Sequence, residues 1–231
     1  MRGAGTHRAA PSAMASAARQ SVASEVRIPP LGLEGTLALP AGARAVVAFA
    51  HGSGSSRRSP RNRRVAAALG SRGLGTLLFD LLTEEEAVDR VFDIPLLAER
   101  LLDATRWLAE QSETRALRIG YFGASTGAAA ALVAAARAER DIGAVVSRGG
   151  RPDLAGFGLA RVRAPTLLIV GGRDAAVLDL NRAALAALRC EKELAIVPGA
   201  THLFEEPGAL DEVIELAGSW FTAHLAKEAG P

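Results

Sequence analysis

Residues 117–127 read LRIGYFGASTG, an apolar run that passes directly into a glycine-x-serine-x-glycine turn. The run Leu117–Phe122 has the length and composition of a buried β-strand, and the alanine-rich segment after the turn, to about Arg140, favours a helix. A tight strand-to-helix turn exposes its central serine at the N-terminus of the helix, where backbone N–H groups favour developing negative charge. Ser125 is therefore the candidate nucleophile. The alternative is a chance match in a chain rich in alanine and glycine.

Short apolar runs alternate with longer helical segments on both sides of this turn. This alternation predicts βαβ units and hence a doubly wound, mostly parallel α/β sheet with helices on both faces. Only residues 148–165 separate the sixth and seventh strands, which is too few for a cap domain. The predicted strands are Glu25–Ile28, Gly35–Leu39, Ala45–Ala50, Gly75–Asp80, Leu117–Phe122, Ile142–Ser147, Thr166–Val170 and Glu193–Val197; the other predicted helices are Asn62–Leu69, Ile94–Leu108, Val177–Arg189 and Ala209–Leu225.

Composition narrows the class of protein. Of 231 residues, 49% are hydrophobic, which excludes wholesale disorder, and no apolar run has the ~20 residues that a membrane span needs. The 27 basic and 25 acidic residues nearly cancel, so neither a nucleic acid nor a membrane is expected as a partner. The single cysteine, Cys190, permits no internal disulfide. A cytoplasmic location is expected, and the oligomeric state stays open.

The first residues differ from the rest. Residues 1–24 contain arginine but no acid and have no apolar periodicity, so we expect a disordered leader there and a single domain over residues 25–231. A targeting peptide and a true start at Met14 are the alternatives.

A serine nucleophile needs a base and an acid that orients the base. His202 lies in a loop directly after the last predicted strand, whereas His224 falls inside the terminal helix and is expected at the surface. Asp174 follows the strand Thr166–Val170, so Ser125, Asp174 and His202 come in the right order at strand ends on one edge of the sheet. Asp141, Asp153 and Asp179 are the competing acids, and a loop aspartate is often only a helix cap.

The substrate oxygen also needs hydrogen-bond donors. The amide of Thr126, just after the nucleophile, is one candidate, and the amide of Ser53, in the loop HGSG after a buried strand, is the other. His51 in that loop is expected to brace the backbone rather than to transfer protons.

Several arginines follow strands on the same edge. Arg148 and Arg151 are candidates to bind a carboxylate of the substrate, with an ordinary loop role as the alternative. The cluster at residues 57–64 is either an anion site or a solvated helix face. No group of histidine, cysteine and acidic residues has the spacing of metal ligands, so no metal site is expected.

Four motifs together resemble the α/β-hydrolase superfamily, in particular its dienelactone hydrolase-like branch: HGSGSS from His51, GASTG from Gly123, GGRD from Gly171 and PGATH from Pro198. The resemblance covers roughly residues 25–225. It implies an α/β-hydrolase fold, hydrolysis of esters or related acyl compounds without a cofactor, Ser125, Asp174 and His202 as the triad, and Ser53 and Thr126 as oxyanion donors. The namesake enzymes use a cysteine nucleophile where this chain has Ser125, which favours a serine esterase acting on a small acyl substrate.

Three other functions compete with a serine esterase. An acyltransferase would use the same motifs, and a non-catalytic binding protein would share the fold but not need the whole triad. A nucleotide-binding Rossmann protein is disfavoured, because the turn lacks G-x-G and the next strand ends in Ser147-Arg148 rather than in an acid.

Overall fold

Eight strands form one sheet in the computed structural model, which describes residues 21–225. Their order across the sheet is β1-β2-β4-β3-β5-β6-β7-β8. β1 and β2 pair antiparallel, as do β2 and β4, and all the other neighbours are parallel. The strands are β1 (Ser21–Ile28), β2 (Leu33–Pro40), β3 (Ala45–Ala50), β4 (Gly75–Phe79), β5 (Arg118–Ala124), β6 (Ile142–Arg148), β7 (Thr166–Gly171) and β8 (Lys192–Val197).

All eight predicted strands are confirmed. The continuous apolar run AVVAFA of β3 is buried at every position, as expected for a parallel strand covered on both faces. β1 begins at Ser21 rather than at Glu25, so the sheet includes the last residues of the segment expected to be a leader. The expectation for residues 1–20 lies outside the described residues.

Helices cover both faces of the sheet, as predicted. α1 (Pro60–Ser71) and α5 (Ala209–Leu225) pack on one face over an apolar layer that includes Phe49, Phe122 and Phe221. The other face carries α2 (Ile94–Glu110), α3 (Thr126–Arg137) and α4 (Ala175–Ala187).

Local sequence sets where the helices begin. Ser59 caps α1 by accepting a hydrogen bond from the Asn62 amide, and Asp93 caps α2 in the same way through the Leu96 amide. A proline stands in the first turn of both helices, where its missing N–H has no cost.

The segment between β6 and β7 contains a kinked 3₁₀ stretch, Pro152–Arg161, that packs on α3 and α4. Within residues 21–225 no segment forms a cap domain, in agreement with the sequence. Strands β3 to β8 run parallel, so their carboxyl ends share one edge of the sheet. That edge carries the loops containing Ser53, Ser125, Asp174 and His202.

Candidate active site

Ser125 lies between the end of β5 and the start of α3, in a backbone conformation of φ 51° and ψ −121°. Residues with a side chain rarely adopt a positive φ, and such strain persists only where the surrounding structure imposes it. The flanking glycines allow the close packing that surrounds it here. A Cβ on Gly127 would overlap the Ala50 carbonyl oxygen, and one on Gly123 would overlap Ala128. The turn therefore packs too closely for any other residue and presents Ser125 half-buried.

Asp174 and His202 form a hydrogen-bonded pair. The His202 Nδ1–H donates to Asp174 Oδ2 over 2.7 Å, which leaves Nε2 unprotonated and able to act as a base. Asp174 occupies the N-cap of α4 but makes no capping hydrogen bond. The simple cap that a loop aspartate usually provides is therefore not its role in this structure.

The competing acids are engaged elsewhere. Asp179 pairs with Arg182 on the exposed face of α4, Asp141 with Arg163, and Asp153 with Arg151. Asp174 is the member of this set that hydrogen-bonds to His202.

The loop after β6 contacts both Ser125 and His202. The Ser125 amide donates to the Arg148 carbonyl oxygen over 3.2 Å, and the Arg151 amide donates to the Ser125 carbonyl oxygen over 3.1 Å. Between them, Gly149 has φ +52°, and a Cβ on it would lie 3.1 Å from the His202 carbonyl oxygen. No local sequence pattern predicts this contact, because it joins distant segments.

The loop after β3 closes over the nucleophile. A Cβ on Gly52 would lie 3.0 Å from Ser125 Cβ, so the backbone of this loop lies directly against the serine. The Ser53 amide donates to Thr126 Oγ1 over 2.9 Å. The structure thus brings Ser53 and Thr126 together. The contact is made by the side chain of Thr126, whereas the sequence had pointed to its amide.

His51 braces this loop, as expected. Its Nε2 accepts a hydrogen bond from the Leu81 amide over 3.1 Å, so its Nδ1 carries the proton and donates to the Gly52 carbonyl oxygen over 3.0 Å. Burial lowers the pKa of His51 and keeps the ring neutral.

The arginine cluster after the loop is largely structural. Arg57 pairs with Glu25, Glu34 and Asp80 while its side chain is only 11% exposed, and its amide also donates to Asp80 Oδ1. Arg61 pairs with Glu205, and Arg64 pairs with Asp211. The ion pairs of Arg57 connect the loop after β3 to the β1–β2 hairpin and to the end of β4.

Arg148 and Arg151 differ in their ion-pair partners and in their burial. Arg151 makes a bidentate pair with Asp153, at 2.9 and 2.7 Å. Arg148 is only 7% exposed, and no residue among 21–225 forms a hydrogen bond or ion pair with its guanidinium, which lies 5.8 Å from the centre of the Phe204 ring. Burial, and then the charge of Arg61, lower the pKa of Arg148 to about 10.

His224 corrects one expectation. It is buried rather than exposed at the surface, packs against Trp220 with tilted rings whose centres are 4.3 Å apart, and its Nε2 lies 3.6 Å from Glu191 Oε1. It belongs to the end of the sheet opposite the triad, because it lines a cleft with Arg118 and Asp141, next to the starts of β5 and β6.

A cavity of about 400 Å³ opens beside the loop after β3. Gly52 and Ser53 line this cavity together with the apolar residues Leu82, Val91 and Leu97. Its volume is within the range of small-molecule sites. Within residues 21–225 no three side chains of the metal-binding types gather into a cluster, and none of the described helices has the length and hydropathy to cross a membrane.

Comparison with known proteins agrees with this architecture. The model of the dienelactone hydrolase family matches residues 34–219. A solved dienelactone hydrolase from Anabaena variabilis is 55% identical, with a TM-score of 0.85 over 89% of this chain and 98% of that one. Est1E from Butyrivibrio proteoclasticus is 16% identical with a TM-score of 0.74, over 89% of this chain and 99% of that one, and shares the fold.

A curated relative carries a different kind of name. A Mycobacterium tuberculosis protein, provisionally named a phosphoribosyl transferase, is 61% identical over 198 residues, which make up 85% of this chain and 45% of the relative. The chain spans about half the length of the curated relatives it matches. The family match and the sheet topology confirm the α/β-hydrolase fold. The chain belongs to the dienelactone hydrolase family.

Proposed function

We propose that this chain is a serine esterase that cleaves small carboxylic esters through an acyl-enzyme on Ser125. The observation that carries the proposal is the 2.7 Å hydrogen bond between His202 and Asp174, on the same edge of the sheet as Ser125 in its strained turn. A purely non-catalytic binding protein would gain nothing from an aspartate that leaves its helix uncapped in order to orient a histidine.

The reaction follows from the roles of these groups. His202 Nε2 takes the Ser125 hydroxyl proton while Ser125 Oγ forms a bond to the acyl carbon, and the carbonyl electron pair moves onto the substrate oxygen. The Thr126 amide and the Ser53 segment stabilise this oxyanion. The tetrahedral intermediate then collapses, and the ester oxygen leaves with the proton from His202. Water attacks the acyl-enzyme with His202 again as the base, which releases the acid and restores Ser125.

Asp174 keeps His202 in the tautomer that this cycle needs. Its carboxylate accepts the Nδ1 proton and stabilises the imidazolium that forms in each half-reaction. No cofactor or metal takes part in the proposed steps.

Arg148 is the candidate for recognising an anionic group on the substrate. A buried guanidinium with no described ion-pair partner is costly, and the charge of a bound carboxylate would offset that cost. Arg151 is a weaker candidate, because Asp153 already neutralises it.

The name of one relative suggests a different function from ester hydrolysis. The phosphoribosyl transferase name belongs to a protein of which this match covers 45%, so the name carries no argument for the activity of this chain. Acyl transfer to an acceptor other than water uses the same acyl-enzyme and is the second candidate function.

A cytoplasmic location is part of the proposal and is testable by cell fractionation.

Labelling with a fluorophosphonate probe tests the proposal. We expect mass spectrometry to find the adduct on Ser125, and turnover of a panel of p-nitrophenyl esters to fall at least about 10³-fold in Ser125→Ala. Added hydroxylamine distinguishes transfer from hydrolysis by the ratio of hydroxamate to acid. An unlabelled Ser125, or unchanged turnover in the variant, would contradict the proposal.

A further inference from the structure

The oxyanion side of the site contains a hydroxyl that the ordinary arrangement of two amides does not use. Thr126 begins α3, is only 2% exposed, and accepts the Ser53 N–H at Oγ1 over 2.9 Å. A threonine hydroxyl has one proton to donate besides the lone pairs that accept. No residue among 21–225 accepts that proton.

The position of this hydroxyl matters because of what surrounds it. A Cβ on Gly52 would lie 3.0 Å from Ser125 Cβ, so the loop after β3 lies against the nucleophile, and Thr126 Oγ1 accepts a hydrogen bond from the next residue of that loop. The oxygen of a carbonyl attacked by Ser125 is expected beside the amide of the residue after the nucleophile, which is Thr126. The Ser53 N–H is already donated to Thr126 Oγ1, so the proton of that hydroxyl is the donor left to face the incoming oxygen.

We propose that the Thr126 hydroxyl is a catalytic donor of the oxyanion hole, held and polarised by the Ser53 amide. The Ser53 N–H donates to Thr126 Oγ1, and the Thr126 O–H donates to the substrate oxygen beside the Thr126 N–H. This inference rests on the proposed serine esterase function and deepens it. No proton leaves Thr126: the electron pair of the carbonyl moves onto oxygen when the Ser125 Oγ–carbon bond forms, and the hydroxyl only donates a hydrogen bond to it.

The hydrogen bond from the Thr126 hydroxyl is strongest when negative charge develops on the substrate oxygen. A buried hydroxyl proton without an acceptor raises the free energy of the resting enzyme. An oxyanion is a much stronger acceptor than a neutral carbonyl, so the new bond stabilises the transition state more than it stabilises the bound ester. Its loss should therefore lower kcat more than it changes KM.

Thr126→Val tests this directly, because valine keeps the β-branch and the volume but has no hydroxyl. We expect kcat on a p-nitrophenyl ester to fall about 10²–10³-fold with a much smaller change in KM. The inhibition constant of phenylboronic acid, whose adduct with Ser125 places a negative oxygen in the hole, should rise in parallel. Thr126→Ser, which keeps the hydroxyl, should recover most of the lost turnover.

Thr76→Val is the matched control, since Thr76 is buried in β4 at 3% exposure and lies outside the site. It should alter neither kcat nor the boronic acid constant. If Thr126→Val does not fold, as judged by circular dichroism, Thr126→Ala carries the same comparison.

Three outcomes overturn the inference. Turnover in Thr126→Val equal to or above that of the wild type would mean that the hydroxyl only covers the Ser53 amide. A loss of kcat without weaker boronic acid binding would mean that Thr126 is a structural tie. An equal loss in Thr126→Ser would exclude the hydroxyl as the cause. Failure of the proposed function looks different, because wild-type ester turnover would then not depend on Ser125.

Discussion

His202 Nδ1 lies 2.7 Å from Asp174 Oδ2, even though Asp174 stands at the N-cap of α4 and has helix amides close by. The hydrogen bond fixes the histidine tautomer. In Asp174→Asn the amide cannot balance the charge of the imidazolium and favours the wrong tautomer, so we expect kcat to fall about 10²–10⁴-fold. Steady-state ester kinetics measure this loss. Asp179→Asn, on the exposed face of the same helix, should change kcat little, and equal losses in the two variants would contradict the assignment.

Two glycines in the loop after β6 allow a test of geometry alone. Gly149 and Gly156 have nearly the same φ, +52° and +53°, so an added Cβ is similarly strained at both positions. Only at Gly149 does the new Cβ meet the His202 loop, whereas at Gly156 nothing lies within 4 Å. We expect Gly149→Ala to lower kcat about 10-fold or more through displacement of His202. Gly156→Ala should lose a similar amount of stability but keep its turnover, and thermal melting separates the two effects.

Arg57 links the loop after β3 to three carboxylates, of Glu25, Glu34 and Asp80, and its side chain is largely buried. Removal of the guanidinium leaves Asp80 with the amide of residue 57 but without the charge that faces it, so we expect Arg57→Met to lower the free energy of unfolding by about 1–3 kcal/mol. Arg64→Met, which breaks a more exposed pair with Asp211, should cost about 0–1 kcal/mol. Urea denaturation measures both, and equal midpoints would show that the Arg57 ion pairs add nothing to stability.

The strands and the turn around Ser125 could be predicted from the sequence, because local patterns determine them. Strands such as Ala45–Ala50 are buried on both faces and therefore are continuous apolar runs, which a single sequence displays directly. The turn around Ser125 also shows itself locally, because its crowding permits only glycine at positions 123 and 127. The candidate triad followed from the chain order of loops at one edge of a parallel sheet.

The remaining contacts depend on segments that are far apart in the chain. Ser53 and Thr126 are separated by 73 positions, and no periodicity links them. Arg61 and Glu205 are separated by 144 positions, so nothing local distinguished an ion pair from a solvated helix face. The prediction that His224 lies at the surface is wrong, because its position near the end of α5 does not reveal its contact with Trp220 in the folded chain.

Burial of His51 makes the free energy of unfolding depend on pH. Burial depresses its pKa in the folded protein below the ordinary value near 6.5, so the unfolded chain binds the proton more readily. Its contribution to stability is therefore complete above about pH 6.5 and is lost as the pH falls through the lower folded pKa. In His51→Gln the free energy of unfolding should fall less between pH 7 and pH 5. Denaturant titrations at both pH values check this, and an unchanged difference would show that other groups govern the acid response.

Substitution of Arg148 should have opposite effects on stability and on substrate recognition. A buried guanidinium without a described ion-pair partner costs free energy in the empty enzyme, so Arg148→Met should raise the free energy of unfolding by about 1–4 kcal/mol. If this charge binds an anionic group of the substrate, the same variant should lose about 10–100-fold in kcat/KM on an ester with a carboxylate on its acyl chain. A neutral ester of equal length should be cleaved as before. Arg151→Met, which loses only a partly exposed pair with Asp153, is the control for both measurements. A marked loss of stability in Arg148→Met would mean that the guanidinium is compensated within the fold, and equal losses on both esters would exclude a role in recognition.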